Sequence, residues 1–327
     1  MRTIFFLIVI VISSTSQIFS QLPDEILKKM VVEHNIKSLS QFNHKYSDGK
    51  PEEEGYKNFF KEFDKYGNLV KELHYRDGEV SQRMTYKYNE NQKKTGYKNY
   101  NVRNDELAYR QSIEYDENGN KITEQRFNGS EHIKLKYKYN EKGQVEQILK
   151  EKLRGQNNYD LLEKRKFQHN GNTTRIKVLD QKNNLLKIIE TEYDDKGHLI
   201  RESEYKPDGE QIKKIITKYN KDGQKYLEEK YQKGNFIYKK QYNYDKNDNL
   251  VEVQKEQPEE EFVISKVYEY SKENLSKEMW LEDMADKYSH KKFIFDDEGI
   301  LEKVEVYYAI YQYRILYTFD YEYFKNK

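Results

Sequence analysis

The chain has 327 residues and is 35% hydrophobic only because 31 of them are Tyr; with Tyr set aside and Gly counted, the apolar share is about 30%, against roughly 45–50% in ordinary globular proteins. This excludes a thick conventional core, and the balance of 58 Lys+Arg against 57 Asp+Glu excludes a global field able to hold nucleic acid or an anionic membrane. The absence of Cys excludes disulfides, Cys-ligated zinc, iron–sulfur clusters and Cys nucleophiles.

Residues 1–20 hold one early charge, Arg2, an unbroken apolar run from Ile4 to Ile12 and the small polar stretch Ser13 to Ser16. That is the plan of a secretory signal peptide. The run is far short of the ~20 apolar residues that cross a bilayer, so the mature chain is expected not to span a membrane. Cleavage is expected after Ser16 or Ser20, with export to the cell envelope (periplasm or cell surface) or secretion.

Residues 21–46 form an N-terminal cap and a lead-in strand. Positions 24–36 read as a short helix with an apolar stripe at Ile26, Leu27, Met30 and Val31, placed to cover the first strand edge. His34 to Tyr46 reads as a strand, closed by the turn Asp48-Gly49-Lys50-Pro51.

Residues 47–327 are one repeat domain. Its unit is an aromatic residue followed by Asp or Asn and, three positions later, Gly, as in Tyr115-Asp116-Glu117-Asn118-Gly119. Copies start at Phe63, Tyr88, Tyr115, Tyr139, Phe167, Tyr193, Tyr219, Tyr244, Tyr270 and Phe295, at a nearly constant spacing. Asp or Asn opens a turn by bonding nearby N–H groups, and Gly supplies the positive φ that closes it. The turn residues are Asp64 with Gly67, Asp116 with Gly119, Gly143, Asp194 with Gly197, Gly223, and Asp296 with Gly299. Gln92, Asp248 and Asn274 stand where the other copies have Gly.

The flanks alternate with period two, placing Tyr86 and Tyr88, Tyr137 and Tyr139, Tyr242 and Tyr244, and Tyr268 and Tyr270 pairwise on one face of a strand. A second aromatic stripe lies twelve residues after the anchor and precedes a looser turn. Each ~26-residue repeat therefore reads as two strands and two turns. The expected architecture is all-β: an elongated antiparallel meander of about ten two-stranded repeats, either an open twisted sheet or a β-solenoid, with a short N-terminal helix. The last repeat, from Val304, is the most apolar and reads as a terminal cap or a docking strand.

The aromatic-Asp-x-x-Gly unit resembles the YD repeats of bacterial Rhs and wall-associated proteins and the tyrosine-rich repeat proteins exported by Bacteroidetes, over residues 63–310. The resemblance implies a coiled β-sheet at the cell surface. This chain is expected to depart from Rhs proteins in having no toxin domain after its last repeat and too few repeats for a large closed shell.

Asp-rich turns do not match a calcium loop, because Gly is fourth rather than sixth and the bidentate Glu is missing. The seven His are scattered without ligand spacing, and no nucleophile elbow, P-loop or dinucleotide fingerprint occurs. No metal, cofactor or enzymatic activity is expected. The aromatic stripes have two readings: cross-strand packing that holds a thin sheet together, or a ladder of amphipathic platforms for sugar rings at Tyr86, Tyr88, Tyr137, Tyr139, Tyr242, Tyr244, Tyr268 and Tyr270. The expected function is thus a non-enzymatic exported protein presenting an extended β-surface for adhesion or scaffolding, or else an extracellular carbohydrate binder. Its partner is expected to be an envelope glycan or a surface protein, not nucleic acid.

Overall fold

The computed structural model describes residues 23–155, 158–272, 274–282 and 287–325. The signal-like segment 1–20 lies outside the described residues. Among the described residues one helix, Asp24–Glu33, is followed by strands only. Its first turn carries Asp24 and Glu25, which suits the positive end of the helix dipole.

The strands do not form an open sheet or a solenoid. Each pairs antiparallel with the next, and the first long strand, Ile36–Ser47, pairs on one side with Tyr56–Phe63 and on the other with the last strand, Tyr313–Tyr323. The meander is therefore a closed ring of 22 strands, the two-residue Lys50–Pro51 piece standing outside it as a small hairpin on Ile36–Ser47. An even strand number lets an antiparallel ring close without a parallel mismatch.

Two features of the sequence explain the closure. Tyr321 stands one repeat length after Phe295 and acts as an eleventh anchor, so the array runs one strand beyond the repeats counted from the turns. The apolar last repeat is the docking strand, and what it docks on is the start of the chain. Ser38 and Glu322, 284 residues apart, meet there through a side-chain hydrogen bond of 3.1 Å. Joining chain ends so far apart costs about 5 kcal/mol in loop entropy, and the apolar side chains concentrate where that cost must be offset. Of the 23 buried hydrophobic residues among those described, 14 form one cluster at this seam, including Ile36, Leu39, Phe59, Leu301, Val304 and Tyr317. The helix adds Met30 and Val31, so it covers the seam rather than a free edge.

Twenty-two strands about 4.8 Å apart give a perimeter of roughly 105 Å, against the eight strands whose side chains just fill a round barrel. A central core is out of reach, which is why so polar a composition suffices for the rest of the wall.

A tyrosine face, a capped wall and an exposed rim

The eight anchors followed by Asp or Asn make one kind of turn. In each, the backbone N–H three residues after the Asp or Asn bonds its carbonyl, and its side chain accepts from backbone N–H groups inside the turn. Asp116 Oδ1, for example, accepts from Asn120 N at 2.7 Å. Gly119 closes its turn at φ +77°, and a Cβ there would run into Lys93 Nζ. Gln92 and Asp248 adopt the same left-handed backbone at φ 59° and 65°. The two copies lacking Asp or Asn differ. After Phe167 the strand runs on to a two-residue turn between Asn170 and Thr173, and after Tyr270 the ladder reaches Ser271↔Asn274. Asn274 is thus a strand residue, and Lys272 takes the positive φ of 57°. With Gln168 and Ser271 in place of Asp or Asn at the second position, the shorter hairpin forms.

These turns leave a defect that explains the tyrosines. Beyond each bulged turn the ladder to the next strand stops two residues short: pairing between Leu69–Arg76 and Glu79–Tyr88 ends at Lys71↔Thr85, exposing the Leu69 carbonyl. The next anchor caps it, with Tyr88 Oη donating to Leu69 O at 2.9 Å. Tyr115, Tyr139, Tyr219, Tyr244 and Tyr270 cap Lys94, Lys121, Leu199, Lys225 and Leu250 in the same way, at 2.8–3.3 Å. Tyr321 caps Leu301 at 2.6 Å. Where the anchor is Phe167, His169 Nε2 reaches the Val145 carbonyl instead, at 2.8 Å. A phenol is long enough to reach the stranded carbonyl and apolar enough to sit half-buried on the way.

The other tyrosines of this face join charges. Tyr86 Oη donates to Glu72, and its ring lies 5.0 Å from Tyr97, which lies 5.5 Å from Tyr109. Burial first, then the Glu72 carboxylate, raises the Tyr86 pKa far above its ordinary value. Glu72 also meets His74 at 2.8 Å. Burial favours its neutral form, yet the His74 hydrogen bond and the nearby Lys61 charge hold its pKa below the usual value. The densest cluster surrounds Glu124, which is 1% exposed and accepts from Gln111 at 2.7 Å, Lys121 at 2.8 Å, Arg126 at 2.5 Å and Tyr137 at 3.3 Å. Burial alone would raise its pKa; hydrogen bonds from Lys121 and Arg126, with their charges, bring it down to about 2. Glu228 repeats the arrangement with Lys225 at 3.0 Å and Tyr238 at 2.9 Å.

The eight tyrosines of the sugar-platform reading all lie half-buried on this face. Tyr88, Tyr139, Tyr244 and Tyr270 spend their hydroxyls on carbonyl caps. Lysine ammoniums lie over the rings of Tyr86, Tyr137, Tyr242 and Tyr268, 4.3 Å away at Tyr242 and 5.3–5.9 Å at the others. A sugar would compete with those contacts. Among the described residues no group of His, Asp and Glu is arranged to hold a metal ion, and no helix is long and apolar enough to cross a membrane.

Sequence reasoning missed two features. The charged pairs had a signal: Glu72, Glu124, Glu202 and Glu228 each stand nine residues after an anchor, with Lys121 and Lys225 six after theirs. The second is an exposed patch on the rim opposite the Asp-x-x-Gly turns. Of the fifteen large apolar side chains most exposed to solvent among the described residues, eight fall within four successive turns there. Phe262, Val263 and Ile264 come from the first and Tyr288 from the second, its hydroxyl on the Ile264 carbonyl at 2.5 Å. Ile310, Tyr311 and Tyr313 come from the third and Tyr56 from the fourth; Tyr311 is 80% exposed. The first three turns are neighbours along the meander, and closure brings the fourth, with Tyr56, beside them.

No family model matches the chain, and no curated protein does, so its likeness to YD-repeat proteins rests on the aromatic-Asp-x-x-Gly residues themselves. Solved structures similar to it include a porin-like protein from Bacteroides uniformis, at 10% identity over 66% of this chain and 97% of that one, with a TM-score of 0.31. A porin-like protein from Bacteroides vulgatus matches at 10% identity over 88% and 99%, with a TM-score of 0.21. A TcdB2–TccC3 structure without its hypervariable C-terminal region matches at 11% identity over 83% of this chain and 18% of that one, with a TM-score of 0.29. The chain spans less than a fifth of that last protein, and superpositions this loose carry no inference about activity or ligand.

Proposed function

We propose that the chain is an exported, non-enzymatic barrel of the cell envelope that serves as a water-soluble scaffold, presenting its β-surface and rims to an envelope glycan or surface protein. The observation that carries this reading is that the wall consumes its own chemistry. Carboxylates are paired with lysines and arginines, and anchor hydroxyls cap carbonyls, so the polar groups work to hold the ring. The same chemistry argues against a membrane-embedded barrel. One face carries Lys61, Glu72, Lys94 and Glu124, the other Arg83, Lys87, Lys136 and Lys138, and each Lys or Arg facing lipid at the midplane costs about 2–4 kcal/mol. Among the described residues neither face offers an apolar band. The signal-like residues 1–20 support export, and residues 47–327 act as one repeat domain behind the cap and lead-in strand at 21–46.

Vesicle flotation tests this. The chain from residue 21, purified without detergent, is expected to be monodisperse and to remain at the bottom of a gradient with neutral phosphatidylcholine vesicles; stable insertion would overturn the scaffold reading.

Carbohydrate binding along the tyrosine face is the second reading, favoured by the recurrence of Tyr86/Tyr88, Tyr137/Tyr139, Tyr242/Tyr244 and Tyr268/Tyr270 at matching places in separate hairpins. Its test is a glycan array read with the unaltered chain and with a variant combining Tyr137→Ala, Tyr242→Ala and Tyr268→Ala. Saturable binding lost in a folded variant supports it, and silence across the array removes it.

A further inference from the structure

The exposed rim patch has a charge that the rest of the molecule lacks. The chain as a whole is balanced at +1, and along the wall acids and bases pair repeatedly, as in Lys136–Glu151, Lys187–Glu204 and Lys266–Glu278. The turns beside the patch break this habit. Glu52, Glu53 and Glu54 lead into Tyr56, and Glu259, Glu260 and Glu261 lead into Phe262; all six are exposed. Among the described residues none of them lies in an ion pair with Lys or Arg, and the Glu260 carboxylate accepts only the Gln257 amide, at 2.8 Å. Lys50, Lys57, Lys255, Lys287 and Arg314 are the cations among the described residues of the four turns and the two strand residues on either side, fewer than these carboxylates. From adjoining strands Lys45 and Lys239 lean over the Tyr56 and Phe262 rings, and Lys239 is paired with Glu256. The two glutamate runs lie at the first and last of the four turns, with Tyr288 and Tyr311 between them. Tyr313 is close enough to Glu52 and Tyr56 for their charges, after burial, to raise its pKa.

Large apolar side chains at 37–80% exposure between two unpaired acidic runs are unfavourable for a surface that only meets water. Aromatic anchors rimmed by one sign of charge are what a protein partner of the opposite sign recognises: the rings supply buried contact, and the charges steer encounter and fix orientation. We propose that this sector of the far rim docks a cationic segment of another protein, its Lys or Arg side chains alternating with apolar ones so as to meet both the glutamates and the rings. This rests on the scaffold reading and names the chemistry of what the scaffold holds.

The test uses the chain from residue 21 and a short synthetic peptide of alternating Lys and Leu, followed by fluorescence anisotropy. Saturable binding that weakens with salt is expected. At least a tenfold rise in Kd is expected in the Tyr311→Ser/Phe262→Ser variant, and again in the Glu259→Gln/Glu260→Gln/Glu261→Gln variant, both retaining the parent near-UV circular dichroism. The glutamine variant keeps the inference testable if the serine variant misfolds, since its changes are confined to an exposed turn. Absence of binding at 0.1 mM by a folded, soluble barrel overturns the inference and leaves the scaffold reading standing. So does equal binding of a Glu/Leu peptide, or binding indifferent to both variants. Flotation with phosphatidylglycerol vesicles that is lost in the serine variant would make the sector membrane-facing and would also overturn it. Insertion into neutral vesicles regardless of the rim residues would instead overturn the scaffold reading.

Discussion

Val304 and Glu124 occupy the same place in their repeats, nine residues after the anchors Phe295 and Tyr115. They lie on the same face of the ring and are 0% and 1% exposed. Val304 sits at the seam among Phe293, Tyr317 and Leu301, beneath the helix. Glu124 lies far round the ring from the seam and sits among Gln111, Lys121, Arg126 and Tyr137. One backbone position is thus filled in two ways, at Val304 by an apolar side chain beneath the helix and at Glu124 by a carboxylate with four donors. A buried charge is tolerated when its hydrogen bonds are complete, and apolar burial is concentrated at the place where the chain must be closed.

The seam should be the less forgiving of the two. Val304→Asp puts an unpaired carboxylate among hydrocarbon and is expected to cost more than about 4 kcal/mol. Hydrogen exchange should then show the Ile36–Ser47 and Tyr313–Tyr323 strands losing protection before the wall does; uniform loss would remove the distinction between the two regions.

At Glu124 the expected cost is smaller. Glu124→Ala leaves Lys121 and Arg126 without their acceptor, but both are about one-third exposed and water replaces part of it, so about 1–3 kcal/mol is expected on denaturant unfolding. The pH dependence follows from the same contacts. The folded carboxyl titrates near 2, below its unfolded value. Its contribution is therefore present above the unfolded value near 4.5 and is lost as pH falls toward 2. The alanine variant should have a shallower acid-unfolding slope across that interval, and an unchanged slope would dissociate the cluster from stability.

Gly119→Val is expected to cost about 1–3 kcal/mol, combining positive φ with the Lys93 clash. Gly143→Val, whose turn has open space around it, should cost less; equal melting of both with the parent would refute the turn geometry. Removing one carbonyl cap by Tyr139→Phe should cost about 1 kcal/mol, read as faster exchange confined to the end of the Lys121–Phe127 strand.

The turns and the strand alternation were legible because they are local. Asp116 and Gly119 specify their hairpin within a single turn, and Ile113 and Tyr115 declare their face through period two. Closure was not legible, because no local residue encodes the perimeter of a ring. It depends on the stagger accumulated over all the bulges and on Tyr321, whose anchor position lacks a following turn to announce it. The expectation of too few repeats for a closed shell failed for that reason. The helix was found by its stripe, but its role changed once the edge it was to cover proved to be paired. As for the candidate site, the tyrosines were visible, whereas their engagement by stranded carbonyls was not, since a missing ladder bond leaves no mark in sequence. The rim patch was equally hidden, because Tyr56 comes from the start of the barrel and Phe262, Tyr288 and Tyr311 come from its end.

The even strand count has a consequence for how such a protein can change size. Each repeat contributes two strands, and each bulged turn brings a carbonyl cap from the next repeat, so removing or duplicating one whole repeat alters the circumference by two strands and preserves the up–down parity on which closure depends. Half a repeat would bring the first and last strands together in parallel and break the seam. Barrels of this build can therefore grow and shrink only in quanta of one repeat, with the two chain ends meeting at every permitted size.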